Sequence, residues 1–177
     1  MNIKAIAIAG DAGSGKTTAA GEIAARLPGW RVVSTGQRFR EYCRERGIDP
    51  SAIASLPDEI HRAADDDMRR LLAGSQRVIA EGRLVGWLAA GDPTLLRVWC
   101  DAPLDTRAAR YAFREGIDIQ SAREEIAHRD AADAEKFQRL YGIDYRDPRL
   151  YDLRVDTGRL PPDAVARAIL DRLQRDP

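Results

Sequence analysis

A glycine-rich segment near the N-terminus carries the clearest chemical signal in the sequence. Residues 10–17 read GDAGSGKT, which matches the pattern GxxxxGK[ST] of loops that bind nucleotide phosphates. Glycines allow consecutive backbone N–H groups to face one anion, and a helix that starts at the end of the loop adds its partial positive charge. The pattern predicts a nucleoside triphosphate site, and the alternative is a glycine-rich turn without a ligand.

Each residue of this loop has an expected part in holding ATP. We expect Lys16 to reach the β- and γ-phosphates, the Thr17 hydroxyl to bind Mg²⁺ and Thr18 to add a phosphate contact. The loop backbone would hold the remaining phosphate oxygens. The expected ATP-binding residues are Gly10, Asp11, Ala12, Gly13, Ser14, Gly15, Lys16, Thr17 and Thr18.

The basic residues are mostly arginines, because only three of the 28 are lysines. A genomic bias toward arginine codons explains many of them, but a guanidinium also binds phosphate through paired hydrogen bonds. On one predicted helix, arginines recur at i, i+3 and i+7, and like charges on one face repel unless an anion answers them. These arginines are Arg107, Arg110 and Arg114. Arg129, Asp133 and Lys136 also share a face, although Asp133 and Lys136 could form a local ion pair.

Apolar runs that alternate with helical stretches would position these residues. Residues 3–9 read as a buried strand before the glycine-rich loop, and residues 16–27 follow as a helix. The last helix is expected from Pro162 to Arg175. Further short apolar runs occur at 31–34, 78–80, 95–100 and 153–155. Strands that alternate with helices predict one α/β domain, residues 1–177, whose parallel sheet is buried on both faces.

Two polar helical segments interrupt this alternation, at about 35–72 and about 114–146. Neither has the composition of a linker, so we expect both to be insertions that cover one edge of the sheet. Glu81, Gly82 and Arg83 end a predicted strand at its carboxyl edge, where ligands bind in open α/β sheets. Arg83 is therefore a candidate ligand-binding residue, with a surface salt bridge as the alternative.

Composition excludes several other classes of protein. The formal net charge is +0, so the chain lacks the basic surplus that is typical of proteins that bind nucleic acid polymers. No apolar run approaches the roughly 20 residues of a membrane helix, and we expect a cytoplasmic monomer without a membrane partner. Cys43 and Cys100 are not part of a zinc or disulfide motif and are expected to be buried thiols.

Several blocks of the sequence resemble the archaeal-type cytidylate kinases, a group within the P-loop nucleoside monophosphate (NMP) kinases. They are GDAGSGKTT at 10–18, STGQRFRE at 34–41, ERGID at 45–49, EGRLVGWL at 81–88, APLDTRAAR to REG at 102–116 and LYGIDYRDPRLYDLRVDT at 140–157. The resemblance implies a three-layer α/β/α P-loop NTPase fold with a five-stranded parallel sheet. It also implies that segment 35–72 binds the NMP, that segment 114–146 forms a mobile cover called the LID, and that ATP with Mg²⁺ phosphorylates CMP or dCMP.

The resemblance also assigns individual residues. Thr35 and Arg40 match residues that contact the acceptor phosphate in the family. Gly36 matches a glycine that allows a close turn, and Phe39 matches an aromatic residue that packs beside the nucleotide. Arg83, next to Gly82, matches a second acceptor-phosphate arginine. The residues expected to act in catalysis are Lys16, Arg110, Arg114 and Arg129. The remaining expected contacts to the monophosphate are Asp65, which is our candidate for the base, Asp133 and Lys136.

Two positions depart from the family pattern. Lys136 stands where an arginine is expected, and His61 stands where an acidic residue is expected. Both leave the identity of the nucleobase open. We expect His61 and His128 to be exposed helix residues. The alternatives are a kinase of the same fold that acts on another NMP or a small alcohol, and a nucleotide-dependent switch. The second set of arginines argues against a switch, which has no acceptor phosphate to bind.

Overall fold

A parallel β-sheet forms the framework of the computed structural model, which describes residues 3–49, 56–74 and 76–175. Within these residues the sheet has five strands in the order β2-β3-β1-β4-β5. The strands are β1 (Ala5–Ala9), β2 (Arg31–Ser34), β3 (Val78–Glu81), β4 (Leu95–Asp101) and β5 (Leu153–Asp156). The helices are α1 (Lys16–Ala24), α2 (Thr35–Glu45), α3 (Asp58–Gly74), α4 (Val85–Leu88), α5 (Leu104–Glu115), α6 (Ile119–Tyr141) and α7 (Pro162–Arg175). The predicted five-stranded parallel sheet is confirmed.

Helices cover both faces of the sheet and give it three layers. Every residue of the central strand β1 is buried, with alanines on one face and isoleucines on the other. Ile23 of α1 and Ile169 of α7 belong to the cluster on the isoleucine face. Met68 of α3, Val85 of α4 and Phe137 of α6 belong to the cluster on the opposite face. Burial on both faces explains why the strands read as continuous apolar runs.

Most element boundaries agree with the sequence pattern, and one differs by a full helical turn. Helix α1 ends at Ala24, whereas the apolar spacing predicted it to reach residue 27. Gly29 has a φ of 84°, so the chain turns there toward β2. The last helix, α7, spans the predicted residues.

The two predicted insertions are helical in their described parts. Segment 35–72 contains α2 and most of α3, while residues 50–55 lie outside the described residues. Segment 114–146 contains α6, which is capped at its start by Asp118, whose carboxylate accepts a hydrogen bond from the Ser121 N–H at 2.9 Å. At its end, Gly142 takes a φ of 67°, a conformation that favours glycine. Of the helices described, none is long and apolar enough to span a bilayer.

Candidate active site

A cavity of about 790 Å³ opens at the carboxyl edge of the sheet, beside the loops that follow β1, β2 and β3. It brings most of the predicted site residues together, including some that are more than 100 positions apart in the chain. Those that line it are Ala12, Gly13, Gly15, Lys16, Thr17, Thr18, Thr35, Gly36, Phe39, Arg40, Asp65, Gly82, Arg83, Arg110, Arg114, Arg129, Asp133 and Lys136. The other predicted residues of the phosphate loop, Gly10, Asp11 and Ser14, do not line it.

The phosphate loop, residues 10–17, connects the buried end of β1 to the start of α1. Gly13 and Gly15 have φ values of 74° and 83°, so two of its turns use a backbone conformation that glycine adopts without strain. A side chain at Gly13 would also meet the backbone of α5, because its Cβ would lie 2.7 Å from the Arg107 carbonyl oxygen. The loop is therefore packed tightly against α5 and has little freedom to rearrange.

Lys16 lies at the end of this loop in an environment that disfavours its positive charge. Its Nζ donates a hydrogen bond to the Asp11 carbonyl oxygen at 2.6 Å. Burial lowers the pKa of Lys16 from 10.5 to about 8, and the nearby Glu81 carboxylate acts in the opposite direction. A phosphate anion bound beside Lys16 would favour the charged form of its side chain and raise its pKa again.

Thr157, directly after β5, connects the phosphate loop to the sheet. Its buried Oγ1 lies 2.8 Å from the Ser14 carbonyl oxygen and 2.9 Å from the Asp101 carbonyl oxygen. Arg110 of α5 donates to the Thr157 carbonyl oxygen at 2.6 Å. These contacts hold Arg110 beside the phosphate loop.

Arg107 does not line the cavity with Arg110 and Arg114, although the spacing places all three on one helix face. It is 8% exposed, and its guanidinium forms an ion pair with Asp130 at 2.6 Å. Its Nη1 and Nε also donate to the carbonyl oxygens of Ala12, at 3.0 Å, and Ala102, at 3.1 Å. The carboxylate of Asp130 therefore neutralises the charge of Arg107 and relieves its repulsion with the other arginines of this helix face.

A second part of the cavity, which we call the acceptor side after its predicted role, is centred on Arg83, which follows β3. Its guanidinium forms an ion pair with Asp133 of α6 and donates to the Arg129 carbonyl oxygen at 2.9 Å. Asp133 also accepts a hydrogen bond from Lys136 at 2.6 Å, so the local ion pair that the sequence left open is present. Carboxylates of α6 therefore balance the charge of Arg83.

Thr35 and Arg40 approach the same side from α2. The helix begins at Thr35, and the Ser34 hydroxyl accepts a hydrogen bond from the Gln37 N–H at 3.5 Å. Gly82 lies against Thr35 so closely that a Cβ on Gly82 would be 2.8 Å from the Thr35 Cβ. The close approach of β3 to α2 therefore depends on glycine at position 82.

An aromatic stack and a buried carboxylate form the wall between α2 and α3. The rings of Phe39 and His61 stack with centroids 5.4 Å apart and an angle of 17° between their planes. His61 is 8% exposed, so the prediction that it is an exposed helix residue is wrong. Asp65 accepts a hydrogen bond from the Tyr141 hydroxyl at 2.6 Å, and burial raises the pKa of its carboxyl group.

The remaining arginines surround Tyr111 at the mouth of the cavity. The Arg114 guanidinium lies 4.9 Å from the centroid of the Tyr111 ring, and Arg129 donates to the Tyr111 hydroxyl at 3.2 Å. Both side chains are more than half exposed, at 62% and 51%. Each also lies near a glutamate, Arg114 at 2.7 Å from Glu115 and Arg129 at 4.0 Å from Glu125, so an incoming anion would compete with exposed carboxylates for these two arginines.

The site fits ATP with Mg²⁺ better than it fits a metal held by protein ligands alone. The described residues contain no group of three or more His, Cys, Asp or Glu side chains placed to bind a metal. Thr17 and Glu81 line the cavity beside Lys16, and a hydroxyl and a carboxylate are oxygen ligands of the kind that Mg²⁺ uses. Mg²⁺ in nucleotide sites is bound largely by phosphates and water, so two such residues are sufficient.

A phosphate loop that shares one cavity with a second set of basic side chains is the arrangement expected of a P-loop kinase, and this fold and cavity agree with that class. Solved structures agree at the level of the fold. Shikimate kinase from Acinetobacter baumannii matches with a TM-score of 0.65 and 16% identity, covering 98% of this chain and 94% of that chain. An uncharacterized protein from Eubacterium ventriosum matches with a TM-score of 0.76 and 19% identity, covering 97% of this chain and 98% of that chain.

Sequence comparison identifies the family. The model of the cytidylate kinase-like family matches residues 5–159. A cytidylate kinase of Haloquadratum walsbyi is 40% identical over 171 residues, which cover 93% of this chain and 88% of the relative. A cytidylate kinase of Pyrococcus furiosus is 38% identical, with 95% of this chain and 88% of the relative covered. The chain belongs to the cytidylate kinase-like family, and the resemblance seen in the sequence is confirmed.

Several residues of the site neighbourhood were not among the predicted functional residues. Asp130 of α6 is buried where this helix packs against α5 and the phosphate loop. Glu81 lies in the EGR block, whose position at a strand end was the signal that could have identified it. The buried Tyr145 donates from its hydroxyl to the Asp11 carboxylate at 2.6 Å, and Arg146 contacts the same carboxylate at 3.1 Å. The side chain of Asp11 thus connects the phosphate loop to the segment after α6.

Proposed function

We propose that this protein transfers the γ-phosphoryl group of ATP to CMP or dCMP and releases ADP with CDP or dCDP. The observation that carries the proposal is the single cavity that contains both Lys16 of the phosphate loop and a second set of cationic side chains, Arg40 and Arg83. Membership in the cytidylate kinase-like family supports the choice of acceptor. A nucleotide switch would have no need for the second set.

The proposed mechanism depends on placing two phosphates and neutralising charge between them. Phosphoryl transfer needs little covalent participation by the protein, so alignment and electrostatic stabilisation supply most of the rate enhancement. Lys16 and the loop amides would bind the ATP phosphates, while Thr35, Arg40 and Arg83 would bind the acceptor phosphate. When bound through Thr17 and Glu81, Mg²⁺ would neutralise charge on the ATP phosphates. The residues that would stabilise the group in transfer are Arg110, Arg114 and Arg129.

The two helical segments have separate proposed parts within one domain. The segment of α2 and α3 would bind the NMP, with the Phe39 ring beside the base and Asp65 as a hydrogen-bond acceptor. The segment of α6 would be the LID, in which Lys136 would contact the ribose or phosphate of the acceptor and Asp133 would contact the ribose. Closure of these segments would exclude water and so limit the hydrolysis of ATP.

The test is an assay of ADP release with ATP, Mg²⁺ and a panel of ribo- and deoxyribonucleoside monophosphates. We expect CMP or dCMP to give the highest kcat/KM. Lys16→Ala and Arg83→Ala should each lower transfer by about 10²–10³-fold, the usual cost of removing one group that stabilises transition-state charge. Arg159→Ala, at an exposed position away from the cavity, is the matched control and should retain full activity.

Other outcomes of the panel would change the proposal. Faster transfer to UMP, dAMP or a small alcohol than to CMP and dCMP would reassign the acceptor. Binding of ATP without stimulation by any acceptor would favour a switch. All the residues named in the mechanism lie on one chain, so we also propose that the enzyme acts as a monomer. Its proposed substrates are free nucleotides, and the cytoplasm is therefore its proposed compartment.

A further inference from the structure

Asp130 of α6 is a buried carboxylate that contacts both the ATP side and the acceptor side of the site. It is 5% exposed. One carboxylate oxygen accepts a hydrogen bond from the Ala12 N–H of the phosphate loop at 3.3 Å and lies 3.4 Å from Nη2 of Arg83. The other oxygen pairs with Nη1 of Arg107 at 2.6 Å. One side chain therefore connects the loop, the acceptor arginine and α5.

Arg107 makes this arrangement rigid. Its Nη1 donates to the Ala12 carbonyl oxygen, so the N–H of Ala12 is held by Asp130 and its carbonyl by Arg107. A buried ion pair of this kind adds little net stability, because desolvation cancels much of the attraction. Its geometry is nevertheless well defined, because each partner has further hydrogen bonds that fix its orientation.

Asp130 differs from Asp133, its neighbour one helical turn further on. Asp133 lines the cavity, where an acceptor phosphate could take its place on Arg83. Asp130 does not line the cavity and is enclosed by the phosphate loop and α5. Its contact with Arg83 can therefore persist when the cavity fills.

We propose that Asp130 is a positioning residue that sets the distance between the phosphate loop and Arg83, and so between the two phosphates that react. The inference rests on the proposed function, in which Arg83 binds the acceptor phosphate. Misplacement of reacting groups by about 1 Å can lower a rate by about 10²-fold. The alignment of the two phosphates should thus depend on Asp130, although Asp130 touches neither of them.

Asp130→Asn tests this idea, because it keeps the shape of the side chain and removes its charge. We expect kcat with CMP to fall about 10–100-fold, while the KM for ATP changes by less than about threefold. Glu124→Gln, an exposed carboxylate-to-amide change on the same helix, is the matched control and should leave both values unchanged.

A double-mutant cycle with Arg83→Ala separates positioning from a general structural role. If Asp130 acts through Arg83, Asp130→Asn should lower kcat/KM for CMP by less than about threefold once Arg83 is absent. Equal effects in both backgrounds would overturn the proposal, as would a wild-type kcat in Asp130→Asn. If Asp130→Asn does not fold, Asp130→Glu replaces it in the cycle. The longer carboxylate keeps the charge but should shift Arg83, and the expected and contradicting outcomes stay the same.

The wild-type arm distinguishes failure of this inference from failure of the proposed function. Absence of transfer to any monophosphate by the wild-type enzyme would overturn both. Normal wild-type transfer that Arg83→Ala impairs, combined with additive effects in the cycle, would overturn the positioning role alone.

Discussion

The phosphate loop holds the ammonium group of Lys16 in a half-buried position that disfavours its positive charge. Burial lowers the pKa of Lys16 to about 8, although Glu81 partly compensates. In the unfolded chain the same group has its ordinary pKa of 10.5. Between these two pH values the unfolded state binds a proton that the native state does not, so native stability rises with pH across this window. The half-buried charge of Lys16 therefore lowers native stability at neutral pH.

Lys16→Met should therefore stabilise the ligand-free protein at pH 7, where both states of the wild type carry the charge. The expected gain is on the order of 1–3 kcal/mol, from the size of the pKa shift. It should shrink as pH rises from about 8 toward 10.5, where the wild-type lysine loses its proton. Urea unfolding of both proteins at pH 7 and pH 10 measures this, and a constant difference would contradict the expectation. Lys4→Met, at a partly exposed lysine that pairs with Asp92, is the control.

Asp65 is the residue whose chemistry is best suited to distinguish bases. An ionised carboxylate only accepts hydrogen bonds, which suits the amino group of cytosine, whereas an amide can also donate to the O4 oxygen of uracil. Asp65→Asn should lower the ratio of kcat/KM for CMP to that for UMP about tenfold, the equivalent of one hydrogen bond to a charged group. Asp66→Asn, at a neighbouring carboxylate that pairs with Arg69, is the control. An unchanged ratio would remove Asp65 from base selection.

At the scale of elements, the contact between the end of β3 and the start of α2 shapes the acceptor side. A Cβ at Gly82 would overlap the Thr35 side chain, so Gly82→Ala must displace Thr35 or the first turn of α2. We expect the KM for CMP to rise at least about tenfold, since interactions with the acceptor phosphate depend on alignment, while ATP binding stays the same. Steady-state kinetics and ATP titration would measure the two effects. Gly21→Ala on α1, where a Cβ meets nothing within 4 Å, is the control, and a similar loss in both variants would contradict the argument.

The elements that sequence predicts best are those determined by residues close together in the chain. The phosphate loop, β1 and α7 follow from local spacing of glycines and apolar residues, and the structure agrees with them. The surroundings of Asp130 could not be predicted in this way, because it meets Ala12 across 118 positions. The same limit explains His61 and Arg107, whose burial depends on packing against Phe39 and Asp130. Helical spacing identifies a shared face but does not identify what covers that face.

At the scale of the whole molecule, one sheet joins two separate apolar layers. The cluster on the α1 and α7 face includes Ile6 and Ile8, and the cluster on the other face includes Ala5 and Ala7 of the same strand. Neither layer can lose its packing without exposing β1 to water. The two layers should consequently unfold together in one cooperative transition.

Tryptophans on opposite faces of the sheet allow this cooperativity to be measured. Trp30 packs against the α1 and α7 layer, whereas Trp99 is buried in the other. In two variants that retain only Trp30 or only Trp99, with phenylalanine at the other tryptophan positions, the urea midpoint from fluorescence should equal that from far-UV circular dichroism. Comparison within each variant cancels differences in stability between them. A fluorescence midpoint that precedes the circular dichroism midpoint in one variant would indicate that its layer unfolds separately.

Arg83 on the acceptor side is already paired with a carboxylate of the protein, that of Asp133. Under the proposed function, CMP does not meet a bare cation, and its phosphate must exchange places with a carboxylate. The affinity for CMP is then the difference between two ion pairs and is lower than an unpaired Arg83 would give. The same carboxylate can return to Arg83 as CDP departs, so the contact that weakens substrate binding also speeds product release. Where release of CDP limits the rate, the proposed enzyme would therefore turn over faster with this ion pair than without it.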